Sequence, residues 1–256
     1  MARLFTYSAL ILRVRPSGES NREAWMLTPE EGILRATVFG GPKSKLRAQV
    51  EPYHGGALWI YRDPVRDSRK ITDFDVQSWK PGIRENYERS TAAAAIAETI
   101  LAGYGGGGPW EHAFILANAS LEALETADEP CCTRIFIHFL WHWTEILGIR
   151  PDLGETGDDA TPLGPGAQRW LTAIRDLAPS QMSRYTLDGV SVRQARAFVT
   201  GIVGGGVREM AGNLGLLVGS HAQWTSRKHA RGRWLLILQG LFQQDTFCGG
   251  KDIFFL

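Results

Sequence analysis

The chain has 256 residues, 44% of them hydrophobic, and a formal net charge of +1. That length allows one large or two small domains with a real core, and the near-neutral total excludes a protein that is basic throughout. The charge is uneven, with residues 1–80 carrying +4 and the remainder −3, so a basic surface is expected on the N-terminal part.

Ser8 to Val14 alternates with period two, the signature of a half-buried strand. Leu10, Leu12 and Val14 share one face, expected to be core, and Ala9, Ile11, Arg13 and Arg15 share the other. The cluster Ser17-Gly18-Glu19-Ser20-Asn21 marks a turn. A second strand covers Ala24 to Leu27, and a third opens at Gly32 with Leu34, Ala36 and Val38 inward. Lys43, Lys45 and Arg47 then fall within five loop residues. Taken singly, Arg13, Arg15 and Arg35 read as ordinary solvated charges. Taken with the loop, they read as a nucleic-acid surface, because cations on adjacent strands can follow a phosphate backbone. A fourth strand is expected from Gly56 to Tyr61 and a fifth near Lys70 to Val76. Trp59 and Tyr61 share a face of the fourth strand, where Tyr61 is a candidate for stacking on bases and Trp59 is equally a barrel-core residue. Five short strands in about 75 residues suit a small oligonucleotide-binding (OB) barrel.

From Pro81, which suits a first helical position, the pattern turns helical. One helix runs to the Gly105–Gly108 string, read as a connection because no Lys-Ser/Thr follows it. Another runs from Pro109 to about Ala127, with Phe114, Leu116, Leu121 and Leu124 as expected core. Cys131 to Gly148 is apolar on most sides, which predicts a helix central to its bundle. His138 and His142 stand four apart on it, but Phe139 occupies the place of the glutamate that an HExxH zinc protease needs. Two partly buried histidines are the expectation, with a Cys131/Cys132/His138/His142 zinc site the alternative. Gly154 to Gly166 reads as a polar linker, and Gln168–Leu177 and Val192–Val203 as helices, the latter with Ser191 as its N-cap. Glycines crowd 201–219, where close packing and a broken helix are both open readings. Arg227 to Arg233 is the densest basic run, either a solvated helix end or an anion site beside the apolar Trp234–Leu238.

Three cysteines, two of them adjacent, do not make a disulfide scaffold. The N-terminus lacks an apolar signal core and no run of about 18 apolar residues occurs, so a protein of the reducing cytoplasm, with no membrane partner, is expected. There is no G-x-S-x-G, Walker loop or HExxH, and no identifiable carboxylate pair, which favours a binding protein without catalytic residues or cofactor.

The R-x-R-P-x-G-E-S turn (Arg13 to Ser20), L-T-P-E-x-G (Leu27 to Gly32), P-K-S-K-L-R (Pro42 to Arg47) followed by Pro52, Gly82-Ile83-Arg84-Glu85-Asn86, and Leu147-Gly148-Ile149-Arg150-Pro151-Asp152-Leu153 follow one another in order along the chain. Together they resemble the RecO family of bacterial recombination mediators. The resemblance covers about residues 5–180 and implies an α+β multidomain architecture. An N-terminal five-stranded OB-fold barrel would occupy about 1–80 and an α-helical domain about 81–256. It further implies a protein that binds single- and double-stranded DNA, anneals complementary strands and helps load recombinase on strands coated with single-strand-binding protein. The implied partners are RecR, the acidic C-terminal tail of single-strand-binding protein and, indirectly, the RecA recombinase. On this reading Arg13, Arg15, Arg35, Lys43, Lys45, Arg47 and Tyr61 meet DNA, and Arg227, Lys228, Arg231 and Arg233 meet the partner tail. Many family members carry a four-cysteine zinc module after the Pro-Asp-Leu landmark. This chain has no cysteine between Cys132 and Cys248, so that module is expected to be absent, with no metal bound there. The terminal Asp252-Ile253-Phe254-Phe255-Leu256 resembles a partner tail and could compete for its pocket, though burial in the helical core is the plainer expectation. An RNA-binding OB module and a hydrolase with a dispersed site remain the alternatives.

Overall fold

A computed structural model describes residues 3–217 except 42, 67, 104–108 and 154–162, with side chains through residue 205. Met1–Met210 form one compact unit and Ala211–Leu256 a second. In the first, β1 (Leu4–Ser17), β2 (Asn21–Thr28), β3 (Gly32–Val38), β4 (Gly55–Asp63) and β5 (Ser68–Ser78) close into a barrel in the order β1-β2-β3-β5-β4. All neighbours are antiparallel except β3 and β5, whose short parallel pairing at Thr37–Lys70 and Val38–Ile71 completes the ring. The helix α1 (Lys45–Gln49) lies between β3 and β4, and Leu46 and Val50 pack into the barrel core. This is the expected OB-fold.

The turns follow from their residues. Thr28 Oγ1 donates to the Gly32 carbonyl at 3.0 Å and accepts from the Glu31 N–H at 3.2 Å, while Gly32 takes φ +73°. The Thr-Pro-Glu-x-Gly segment is thus the β2–β3 hairpin. Asp63 Oδ1 accepts from the Val65 and Arg66 N–H groups, an Asx turn that reverses the chain into β5.

The core departs from expectation on β1. Ala9 and Ile11 point into the barrel with Ala24, Met26, Leu34, Ala36, Val38, Leu58, Ile60, Ile71 and Phe74. Leu10 and Leu12, expected inside, are buried on the outer face. The pairing with β2 slips between Ile11 and Arg13, leaving Leu12 as the extra residue of a bulge. The slip restores the phase, so Val14 packs inward and Arg13 and Arg15 stand outward. Alternation holds only as far as the bulge, where both faces are apolar and could not be ranked; beyond it Val14 joins the side of Ala9 and Ile11, and the arginines leave that side.

Helices follow the barrel in the chain. They are α2 (Pro81–Glu85), α3 (Tyr87–Ala102), α4 (Trp110–Leu124), α5 (Glu129–Ile146), α6 (Pro165–Ala173) and α7 (Gly189–Leu217), with 3-10 turns at Ile174–Asp176 and Pro179–Arg184. Asn86 caps α3 by accepting from the Arg89 N–H at 3.0 Å, and Pro81 occupies the first turn of α2 as expected. The α3 and α4 helices pack on β1 and β2. Gly32 lets Trp110 close on the barrel: a Cβ there would lie 2.5 Å from Trp110 Cε2. Lys80, at the junction, is buried with Nζ donating to Ser78 Oγ and the Tyr53 carbonyl, and burial lowers its pKa.

The α5 helix is buried almost all round, as its composition predicts. It ends in a Schellman motif: Gly148, at φ +68°, donates to the Glu145 carbonyl, and Ile149 donates to that of Thr144. Leu-Gly-Ile-Arg-Pro-Asp is therefore a helix stop. In α4, Leu121 and Leu124 are buried while Phe114 and Leu116 are only half-buried. Asp188 rather than Ser191 caps α7, since its Oδ1 accepts from the Val190 and Ser191 N–H groups. The α7 helix runs unbroken through Gly201 and Gly205, and a Cβ at either would meet nothing within 4 Å, so neither a break nor close packing accounts for them. Among the described residues no helix is long and apolar enough to cross a membrane.

Candidate nucleic-acid interface

Strand register assembles the outward side chains into rows. One row runs Arg13, Trp25, Arg35 across β1, β2 and β3. The next runs Arg15, Glu23, Thr37, Lys70, Tyr61 across β1, β2, β3, β5 and β4. Each of these residues alternates with an inward core residue, so both rows lie on the outer surface. The parallel β3–β5 closure is what carries the second row on to Lys70 and Tyr61. At a strand spacing of about 4.8 Å, that row follows some 19 Å of barrel wall.

The electrostatics are mixed along these rows. Arg13 pairs with Glu98 of α3, and its guanidinium also lies 6.0 Å from the Trp25 ring centroid. The Arg15 guanidinium approaches the same ring at 5.6 Å. Arg35 is 65% exposed and pairs with Glu23 at 3.0 Å. Lys70 Nζ stands 5.2 Å from the Phe39 ring, just past the end of β3. The Tyr61 hydroxyl accepts from Arg3 Nη1 at 3.3 Å. Surface pairs such as Arg35–Glu23 are worth about 1 kcal/mol or less, so a phosphate can exchange for the carboxylate.

Of the residues singled out from the sequence, Arg13, Arg15, Arg35 and Tyr61 fall on these rows. Lys43 is exposed on the segment between β3 and α1, and Lys45 is exposed at the first position of α1. Arg47 differs: it is half-buried, and its Nη1 donates to the Ser20 carbonyl at 3.2 Å and toward that of Gly40 at 3.5 Å, tying the β1–β2 turn to the segment after β3. Trp59 stands on the outer face, half-buried, and not in the barrel core. Arg227, Lys228, Arg231, Arg233 and the terminal residues lie outside the described part of the chain. Trp25, Phe39, Lys70 and Arg3 were missed. Trp25 meets Arg13 and Arg15 only through the register that the β1 bulge sets, and Lys70 joins the row only through the non-sequential β3–β5 pairing.

Elsewhere, the His138 and His142 rings lie 4.3 Å apart between centroids, tilted by 36°. Their Nε2 atoms donate to the Leu177 and Ile174 carbonyls at 2.7 and 3.3 Å, fastening the 3-10 segment to α5. Burial, then the neighbouring His142, push the pKa of His138 down to about 4. Burial pushes the Cys132 thiol up to about 11. Among the described residues no group of three or more His, Cys, Asp or Glu could hold a metal ion. Most of the 154–166 linker, where the family's zinc module is expected to be absent, lies outside them, at residues 154–162.

A closed five-stranded barrel with cations and aromatics along its outer wall, carrying a helical bundle, is an OB-fold protein with a second, α-helical part. Residues 1–77 match the family model for the N-terminal part of recombination protein O, and residues 84–172 that for its C-terminal part. The chain belongs to the RecO family. It is 26% identical over 159 residues to the DNA repair protein RecO of Synechococcus sp., covering 58% of this chain and 53% of that one. It is 28% identical over 174 residues to the protein of that name from Acaryochloris marina, covering 64% and 56%, and 26% over 215 residues to that from Synechocystis sp., covering 76% and 78%. The chain spans about half the length of the first two relatives.

Proposed function

We propose that this chain acts in DNA repair and recombination as a mediator that binds single- and double-stranded DNA along the outer wall of the barrel. The observation that carries the reading is the pair of adjacent rows, in which Arg13, Arg15, Arg35 and Lys70 stand outward on the barrel wall together with Trp25 and Tyr61. Lys43 and Lys45 extend the cationic field beyond β3. Such a surface lowers the repulsion between two phosphate backbones and holds complementary strands close, which promotes annealing without covalent chemistry. The protein then acts by binding and not as an enzyme.

In this reading the chain divides functionally near residue 80: the barrel holds DNA and the helical part receives protein partners. The partners proposed with this reading are RecR, the acidic tail of single-strand-binding protein and, through them, the RecA recombinase; membership of the family supports them. Arg227, Lys228, Arg231 and Arg233 remain the candidates for the tail. The test is annealing of two labelled complementary oligonucleotides by the wild-type chain and by an Arg15→Glu/Arg35→Glu/Lys70→Glu variant with an unchanged circular dichroism spectrum. The variant is expected to anneal more slowly. Equal rates would remove the barrel wall from the reaction.

A further inference from the structure

The aromatic members of the belt are not accounted for by charge alone. Phe39 is 47% exposed immediately after β3, outside the barrel core, with the Lys70 ammonium 5.2 Å from its ring. An aromatic so exposed adds little to stability, and it sits beside an exposed lysine, the pairing of ring and cation that a nucleotide's base and phosphate would meet. Trp25 stands half-buried on the outward face of β2, with two guanidinium groups within about 6 Å of its ring. Glu98 holds one of these, Arg13, in place from α3. Each ring is thus paired with a cation that can meet a phosphate while the ring meets a base. Guanidinium planes can themselves continue a stack of bases.

The two rings share a face. Trp25 is opposite Arg35 in the ladder, and Phe39 follows four residues further along the same chain, in phase with it. At strand spacings this separates the rings by on the order of 14 Å, within the reach of a few nucleotides on one OB barrel. Only an unpaired strand offers base faces to such rings, since in a duplex they are stacked on one another.

We propose that Phe39 and Trp25 are base-stacking platforms, so that the barrel wall takes single strands by bases and phosphates together but duplex by phosphates alone. The proposal rests on the barrel wall being the DNA surface and adds to it the residues that distinguish the two forms of DNA. It also assigns Lys70 and the Arg13–Arg15 pair as the phosphate partners of the two platforms.

The test uses the full chain with Phe39→Ala and Trp25→Leu, alongside Phe39→Tyr and Trp25→Phe, which keep an aromatic face. Binding is read by fluorescence anisotropy against a thymidine oligonucleotide and against a duplex of equal length. Loss of a platform should weaken single-strand binding roughly 5- to 150-fold and leave duplex binding unchanged. The conservative variants should bind both nearly as the wild type does. An equal loss on both DNAs, or no loss on the single strand, overturns the proposal. An Arg35→Glu/Lys70→Glu variant separates the two levels of the argument. If it weakens binding to both DNAs while Phe39→Ala and Trp25→Leu weaken neither, the wall binds DNA and the stacking assignment is wrong. If it weakens neither, the wall is not the DNA surface and the stacking assignment falls with it.

Discussion

Substituting Gly32 by alanine tests how the barrel and the helices are joined. Gly32 combines a left-handed backbone, φ +73°, with the closest approach of Trp110 to the barrel. Alanine in that conformation costs about 1–2 kcal/mol. Its methyl group would lie 2.5 Å from Trp110 Cε2 and 2.6 Å from Cδ2, inside contact distance of a ring that cannot simply swing its far end away. The indole must shift, and forced overpacking of this kind costs about a further 1–3 kcal/mol. The sum, about 2–5 kcal/mol, is a large part of the roughly 5–15 kcal/mol that holds a typical domain folded. Gly18 supplies the control, since it has φ +68° but a Cβ there would meet nothing within 4 Å. Gly18→Ala should therefore show the backbone penalty alone. In urea, with a slope of about 2 kcal/mol/M, the midpoint should fall by about 1–2.5 M for Gly32→Ala and by about 0.5–1 M for Gly18→Ala. Trp110→Ala in the Gly32→Ala background should couple favourably by at least about 1 kcal/mol. Equal midpoints for the two glycine variants, or no coupling to Trp110, would refute the account of this junction.

Other expectations concern charge. His138 has a folded pKa near 4, below the ordinary histidine value of 6.5, so the unfolded chain binds the extra proton first as pH falls. Its contribution to stability is full above about pH 6.5 and is lost down to about pH 4, by about 3 kcal/mol; the difference in stability between wild type and His138→Gln, measured by urea unfolding across that window, should shrink on acidification, and a constant difference would contradict this. Glu23 is the acid within the second row and partners Arg35, so Glu23→Gln should tighten DNA binding by about 1 kcal/mol or less in a titration at low salt, and weaker binding would be the wrong sign. Lys43→Glu/Lys45→Glu should leave the melting profile unchanged, since both side chains are exposed, while weakening DNA binding; Arg47→Glu should also lower the melting temperature, because it removes the bonds to Ser20 and Gly40.

Much of this fold was legible because local chemistry and global structure agree. Period-two alternation marked β1, β3 and β4, a short run closed by Thr28-Pro29 marked β2, Pro81 marked the helical turnover, and the all-round apolar surface of Cys131–Gly148 marked a central helix. The inward face of β1 was not legible. Leu10 and Leu12 are as apolar as Ala9 and Ile11, and only the helices packed outside the barrel decide that both faces are dry. The bulge at Leu12 has no local signature, yet it places Arg13 and Arg15 beside Trp25. Ser191 looked like a cap by residue type, but Asp188 begins the helix three residues earlier. At the interface, Arg35 was legible because its alternation can be read along β3, whereas Arg13 and Arg15 were legible only by their charge, since the bulge and not the alternation turns them outward. Lys70 and Phe39 were not, because their meeting depends on a parallel pairing between strands separated by α1 and β4.

The most direct measurement is the salt dependence of single-strand binding by wild type and by Arg35→Glu/Lys70→Glu. Each phosphate contact contributes about 0.7 to the slope of log affinity against log salt for a single strand. If the barrel wall is the DNA surface, the folded double variant binds more weakly at low salt and its slope is shallower by about 1.4. A folded double variant with wild-type affinity and an unchanged slope would place the DNA elsewhere on the protein.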